Sequence, residues 1–336
     1  MNPFTRYLPA LDATMRAVLA PDADAPALLY GMLHYHMGWA DADFRPADVP
    51  TGKRLRPIFL LLACEAQGGD WQHALPAAAA VELLHNFTLI HDDLEDRDEV
   101  RRGRPTLWTL WGEAQAINAG DALFALAYRA MLDLPTPDIA PEVVLHATRQ
   151  YTTGSLRVTE GQCRDIGFEK RDAVTEAEYL AMIGGKTAAL IGLACELGGL
   201  IAAAPPARVA ALHTFGEEIG LAFQMQDDLL GLWGNTQQTG KAVGADIRRR
   251  KKTLPILHGM RHSPELRHLL QRPTLTDADI ADALALLERG GSRAYAEELA
   301  ARHHAAAMRA LERSEGRGAA HAALATLAQQ LLGRDR

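Results

Sequence analysis

Apolar residues recur at helical spacing through most of the chain. From Leu55 to Gln67 nearly every position is apolar, which predicts a buried helix. Ala77 to Ile90 predicts another, and it runs straight into an acidic cluster. The same periodicity predicts helices over Asn118–Leu132, Ala177–Ala204, Ala207–Leu232, Asp277–Glu288 and Ser292–Glu312. Breakers fall between them at Leu134-Pro135-Thr136-Pro137, Pro205-Pro206, Gly231 to Gly244 and Pro264 to Pro273. No alternating strand pattern of useful length, short-period repeat or low-complexity linker is present. The pattern predicts an all-α, single-domain helical bundle of about a dozen helices. Chemically suggestive motifs lie in both halves of the chain and need each other, so one domain over 1–336 is expected.

Composition agrees. Hydrophobic residues make up 48% of the 336, but aromatics only 6%, and alanine and leucine dominate. These are helix formers, whereas strands favour β-branched and aromatic side chains. A net charge of −7 makes bulk nucleic-acid binding a poor expectation. Cys64, Cys163 and Cys195 are too few and too scattered for a disulfide framework, and without a CxxC pair zinc is not expected. The N-terminal stretch lacks a signal peptide's apolar core. No run of about 18 uncharged apolar residues occurs, so no membrane span is expected. The expected location is the cytoplasm.

The candidate chemistry is acidic and cationic. In His91-Asp92-Asp93-Leu94-Glu95-Asp96, helical geometry puts Asp92 and Asp96 on one face, with Asp93 beside them. Three such carboxylates repel one another unless they are solvated or bind cations. Oxygen-only ligands suit Mg²⁺ with substrate phosphates. Taken alone the cluster also reads as a solvated helix end. The apolar run leading into it instead sets the acids at the rim of a greasy surface. Gln224-Met225-Gln226-Asp227-Asp228 ends a second apolar run, and two such pairs could grip a diphosphate through metals from two sides. Cations accompany them: Gly52-Lys53-Arg54-Leu55-Arg56-Pro57, Arg101-Arg102, Lys186-Thr187, Lys241 and Arg248-Arg249-Arg250-Lys251-Lys252. Arginine forks match phosphate oxygens and lysine supplies a point charge. The five-cation run reads alternatively as a solvated loop. His85 lies seven residues before Asp92 and, taken alone, reads as a satisfied core histidine. Acid pairs, phosphate-type cations and an apolar helical interior imply a long hydrophobic substrate with a diphosphate head.

These landmarks resemble the trans-isoprenyl diphosphate synthases of the polyprenyl synthetase family. The likeness runs from Gly52 to Pro255. It also takes in Arg101-Arg102-Gly103-Arg104-Pro105-Thr106, Ala116-Ile117-Asn118-Ala119-Gly120-Asp121, Phe223-Gln224 with Asp227-Asp228, Thr239-Gly240-Lys241 and Lys251-Lys252-Thr253-Leu254-Pro255. The chain most resembles geranylgeranyl diphosphate synthases. The resemblance implies the isoprenoid synthase fold around a central apolar cavity, with core motifs at 52–255 and C-terminal helices at 277–333. It implies a homodimer and three Mg²⁺ per active site. Asp92 and Asp96 would bind two ions, with Asp93 supporting, and Asp227 a third. Arg101, Lys186 and Lys241 would hold an allylic diphosphate (dimethylallyl, geranyl or farnesyl), with Gln224 and Thr187 lining the reacting region. Lys53, Arg56, His85 and Arg102 would hold isopentenyl diphosphate, and Lys251 would stand near a closing mouth.

One departure stands out. The second motif usually carries a third aspartate where this chain has Gly231, and Asn235 replaces an acid often found beyond it. Restoring an acid at 231 is expected to be tolerated. Two other functions remain open. A class I terpene cyclase would ionise the same substrate, yet has no use for Lys53, Arg56 and Arg102. A non-catalytic partner subunit would not need Asp92, Asp93 and Asp96. For product length, Phe87 is five residues before Asp92 and Thr88 is small. With no insertion in the first motif, this resembles C20 synthases, with farnesyl diphosphate the alternative. An ideal helical wheel puts Phe87 well off the Asp92 face.

Overall fold

Apolar positions at helical spacing, small residues at close approaches and proline or threonine at helix starts divide the chain into α-helices. The computed structural model describes residues 4–49, 52–134, 138–169, 171, 173–234 and 243–332. The helices are α1 Leu8–Val18, α2 Ala27–His36, α3 Leu55–Ala66, α4 Leu75–Glu95, α5 Leu107–Trp111, α6 Glu113–Leu132, α7 Pro141–Glu169, α8 Glu176–Ile183, α9 Ala189–Ile201 and α10 Pro206–Trp233. Then come α11 Ala245–Arg248, α12 Leu254–His262, α13 Pro264–Leu270, α14 Asp277–Arg289, α15 Ser292–Arg313 and α16 Gly318–Leu332. Among the described residues, the strands are two-residue pieces, β1 Val100–Arg101 and β2 Arg104–Pro105, paired antiparallel.

The all-α expectation holds. Three local expectations change. Helix α7, 29 residues long, is absent from the periodicity reading because its sequence is polar on average and threonine-rich, with no apolar run to draw attention to it. The predicted helix over Ala177–Ala204 is interrupted by a π-turn at Gly184–Ala188. The expected break from Pro264 contains α13, because proline at the first helical position costs no intrahelical hydrogen bond and Ser263 caps the helix by accepting from Leu266 N. Glu176–Ile201 is apolar and long enough to cross a membrane, but 72% of its most apolar window is buried within the protein, as in a core helix.

The chain forms two compact units. One contains Met1–Thr152, Ala194–Val209 and Gly316–Leu324. Here α3 is buried from Pro57 to Cys64. Helix α4 packs closely on α6, with Ala77 to Ala80 on one helix and Ala116, Ala119 and Ala127 on the other all buried. Short side chains let the two axes approach and bury apolar area that drives folding. The β1–β2 hairpin turns at Arg102 and Gly103, whose φ angles are 53° and 75°. Positive φ at both positions matches a turn whose twist suits paired strands, and glycine takes it without strain. Arg104 fastens the hairpin to the end of α2 by donating to Tyr35 O (3.1 Å) and Ala40 O (2.7 Å), with its guanidinium stacked over the Tyr35 ring.

The second unit contains Thr153–Leu193, Ala210–Glu315 and Ala325–Arg336. One apolar cluster joins Phe168, Tyr179, Met182, Met225, Leu229 and Leu299. Another joins Leu232, Ile247, Ile256, Leu266, Ile280 and Leu287. The first fixes α10 against α8 and α15; the second anchors the α11–α14 region.

Candidate active site

In the first unit, α4 carries its acids at its C-terminal end, where the helix dipole is negative and no basic residue occupies the last turn. Asp92 is half-buried, Asp93 is buried, and Asp96 is exposed as the capping residue, its N–H donating to Asp92 O. Arg101 on β1 supplies the missing cation. Its Nε donates to Asp93 Oδ1 at 2.5 Å, and its Nη2 lies 3.9 Å from Asp92 Oδ2. Burial nonetheless pushes the Asp93 carboxyl up to about 6. The structure therefore brings Asp92, Asp93 and Arg101 together and leaves Asp96 facing solvent.

The predicted isopentenyl group is also in this unit. His85 on α4 is held neutral, its pKa far below the usual histidine range, by burial and then by Arg56, Arg102, Arg101 and His36. Positive charges thus converge on an uncharged imidazole. Lys53 is exposed and precedes α3. Gly52 beside it has a φ of 109°, a backbone conformation that favours glycine. His36, which the sequence reading missed, is pushed down to about 3 by burial and the nearby arginines, and its Nε2 is buried with no hydrogen-bond partner. It shares a small cavity with Asp93, Arg101 and Arg102. Phe87 points to α6, where its ring meets Phe124 at 4.9 Å, beside His91 at 4.8 Å. The aromatic row continues through Tyr128 to Tyr151, whose hydroxyl donates to Ala80 O. Thr88 donates to His85 O within its own helix.

In the second unit the acids stand on α10. Asp228 is buried and accepts from Tyr179 Oη (2.6 Å), Leu254 N (3.1 Å) and Gln224 Nε2 (3.1 Å). Burial still raises its carboxyl to about 7. Gln224 in turn accepts from Thr187 Oγ1 at 2.7 Å, so Asp228 orients Gln224 and Gln224 orients Thr187. Asp227 is half-buried on the same helix. The π-turn shapes the cationic side. A Cβ on Gly161 of α7 would strike the backbone of Lys186, so glycine lets α7 approach the turn. Lys186 Nζ then reaches Asp165 Oδ2 at 2.5 Å. Asp165 lies on the unpredicted helix and was missed with it; π-turns often mark functional positions.

Gly231 has a structural reason that the sequence did not reveal. A Cβ at that position would collide with the carboxylate of Asp246, a buried residue of α11. The expectation that an acid at 231 is tolerated therefore meets an obstacle: the Asp246 carboxylate must move to admit a side chain there. Lys251 lines a cavity together with Arg250, Lys252 and Arg267, and no other predicted site residue among the described ones lines that cavity. Lys241, Thr239-Gly240 and Asn235 lie outside the described residues.

The donor set fits Mg²⁺. The acids of both clusters offer only oxygen. Mg²⁺ is typically held that way, by one or two carboxylates, with substrate phosphates and water completing the octahedron.

A model of the polyprenyl synthetase family matches residues 46–287. A (2E,6E)-farnesyl diphosphate synthase of Mycobacterium tuberculosis is 43% identical over 280 residues, covering 81% of this chain and 77% of that protein. A geranylgeranyl diphosphate synthase of the same organism is 44% identical over 285 residues, covering 83% and 80%. Among solved structures, a polyprenyl synthetase from Streptomyces coelicolor A3(2) superposes with a TM-score of 0.89 at 36% identity, covering 98% of each chain. A geranylgeranyl pyrophosphate synthetase from Pyrococcus horikoshii gives 0.87 at 34% identity, covering 98% of this chain and 96% of that one.

Proposed function

The chain belongs to the polyprenyl synthetase family, and from that premise we propose that this prenyltransferase joins isopentenyl diphosphate to an allylic diphosphate, giving chiefly the C20 product, geranylgeranyl diphosphate. The observation that carries the reading is the pairing of an acidic helix end, Asp92 to Asp96, with a separate convergence of cations around neutral His85. A terpene cyclase uses the first feature but has no need of the second.

Asp92 and Asp96 would hold two Mg²⁺ ions and Asp227 a third, supplying Lewis-acid stabilisation of the departing diphosphate. Asp93 acts through Arg101, fixing that guanidinium where it can meet phosphate oxygens. Lys186, held by Asp165, supplies a second positive charge, and Lys241 is assigned a third. Lys53, Arg56 and Arg102 bind isopentenyl diphosphate, with neutral His85 offering one N–H. The allylic C1–O bond breaks as these charges stabilise the leaving group. The alkene of isopentenyl diphosphate attacks C1, a new C–C bond forms, and a proton passes from the resulting cation to the departed diphosphate. Gln224 and Thr187, locked in one hydrogen-bonded chain with Asp228, line the reacting region. Product length is assigned to the Phe87–Phe124 pair, with farnesyl diphosphate the second reading, since relatives of both names match at similar identity. A homodimer working in the cytoplasm completes the proposal.

Asp92→Ala and Asp96→Ala should each lower Mg²⁺-dependent turnover by several orders of magnitude while the circular dichroism spectrum is unchanged. Turnover near that of the wild type in either variant defeats the assignment. Arg102→Ala should raise KM for isopentenyl diphosphate more than KM for the allylic substrate. Product formation with no need for isopentenyl diphosphate would instead establish a cyclase.

A further inference from the structure

Of the run Arg248 to Lys252, only Lys251 is assigned a place in prenyl transfer, near the closing mouth. Two of its members have local structural work. Arg248 pairs with Asp277. Arg250 turns its guanidinium onto the carbonyls of Leu270 (2.8 Å), Arg272 and Pro273 (3.0 Å), which tie the run to the end of α13. Those carbonyls orient Arg250 without neutralising it. Arg250 then faces, with Lys251, Lys252, Arg267 and Arg171, an open cavity of about 250 Å³ in the second unit. Its apolar side is built from Ile247 and Ile256, both buried, with Met260 and Leu270.

Charge defines what this cavity suits. Arg171 is held by Glu178 at 2.7 Å, and Glu169 is the single acid among the described lining residues. Three positive charges are then left without a carboxylate among the described lining residues. Grouping like charges around a concave, partly apolar wall raises the local potential and attracts a polyanion. A carboxylate ligand would offset one charge, whereas a diphosphate carries several. The described lining residues include no aromatic side chain on which a nucleobase could stack. The volume is below the roughly 300–1,000 Å³ of sites that enclose drug-sized ligands. It suits a head group with, at most, the first part of an apolar tail. Asp227, Asp228, Gln224 and Lys186 are not among the lining residues.

We propose that this cavity is a metal-independent binding site for a diphosphate group, one whose lining does not include the α10 acid pair of the same unit. The diphosphate could be inorganic or the head of a prenyl chain, and the apolar wall bears on which. Because no metal is required, the site can be tested apart from the catalytic reading.

The test is titration calorimetry of the full-length protein in EDTA at low salt, first with inorganic diphosphate and then with geranyl diphosphate. Lys252→Glu/Arg267→Glu should weaken one binding event per chain at least tenfold. The neutral pair Lys252→Gln/Arg267→Gln should weaken the same event by less, which guards against misfolding of the charge-reversed variant. Mg²⁺-dependent turnover at saturating substrate should stay within twofold in both. Geranyl diphosphate binding at least tenfold more tightly at this event assigns the tail to the apolar wall; equal affinities assign the cavity to the head group alone. Titrations that are the same in the wild type and both double variants overturn the proposal.

Discussion

At the scale of single residues, Gly231 shows how a departure from a motif can be structural. The space a third acid would occupy is filled by Asp246, so Gly231→Asp forces two carboxylates into one volume. Replacing a helix-interior glycine by alanine gains about 0.5–1 kcal/mol, and by aspartate less, whereas overpacking typically costs about 1–3 kcal/mol. The clash wins. Gly231→Asp should lower the denaturant midpoint with little change in slope and should reduce turnover. Adding Asp246→Gly should recover part of both. A midpoint equal to or above that of the wild type would show that Asp246 yields freely. Phe87 carries a second prediction. Its ring rests on Phe124, so Phe87→Ala opens space toward α6. The products of this variant, resolved by chromatography, should lengthen by at least one isoprene unit, and further in Phe87→Ala/Phe124→Ala. An unchanged distribution would place the floor elsewhere.

At the scale of elements, the π-turn and α7 act together. Gly161 allows their close approach, and Asp165 on α7 holds Lys186. Gly161→Val should push α7 from the turn, with an effect beyond stability. We expect a raised KM for the allylic substrate at a temperature where the variant is still folded. A lowered melting temperature with unchanged KM would make Gly161 a packing residue alone. The hairpin does similar work in the first unit. Arg104 anchors it, and Arg101 on the adjoining strand meets Asp93. The helices that show in the sequence, α3, α4, α6, α10, α14 and α15, have strong apolar runs or stripes. Helix α7 and the π-turn do not show, because their apolar or small positions matter only against neighbours brought near by folding.

At the scale of the whole molecule, buried ionisable groups set opposing dependences on pH. Asp93 and Asp228 have raised carboxyls, at about 6 and about 7, so their contributions are fully present below the unfolded carboxylate range and are lost as pH rises through those values. His36, lowered to about 3, and His85, lowered by burial, work the other way: their contributions are present above about 6.5 and are lost as pH falls. In EDTA, the stability of Asp228→Asn relative to the wild type should therefore rise as pH goes from 4 to 7, because the variant carries no carboxylate to desolvate. A flat difference in unfolding free energy would show that Asp228 does not titrate in that window. The sequence by itself determined the all-α class, the order of the acidic and cationic motifs and the family, because helical periodicity and short motifs are written in neighbouring residues. It carried the residue types of the site but not their pairings. That Arg101 meets Asp93, that Asp165 meets Lys186, that Asp246 fills the space at Gly231 and that Lys251 faces the basic cavity were decided by tertiary structure. Each depends on distances between residues on different elements, and those distances exist only once apolar faces have packed.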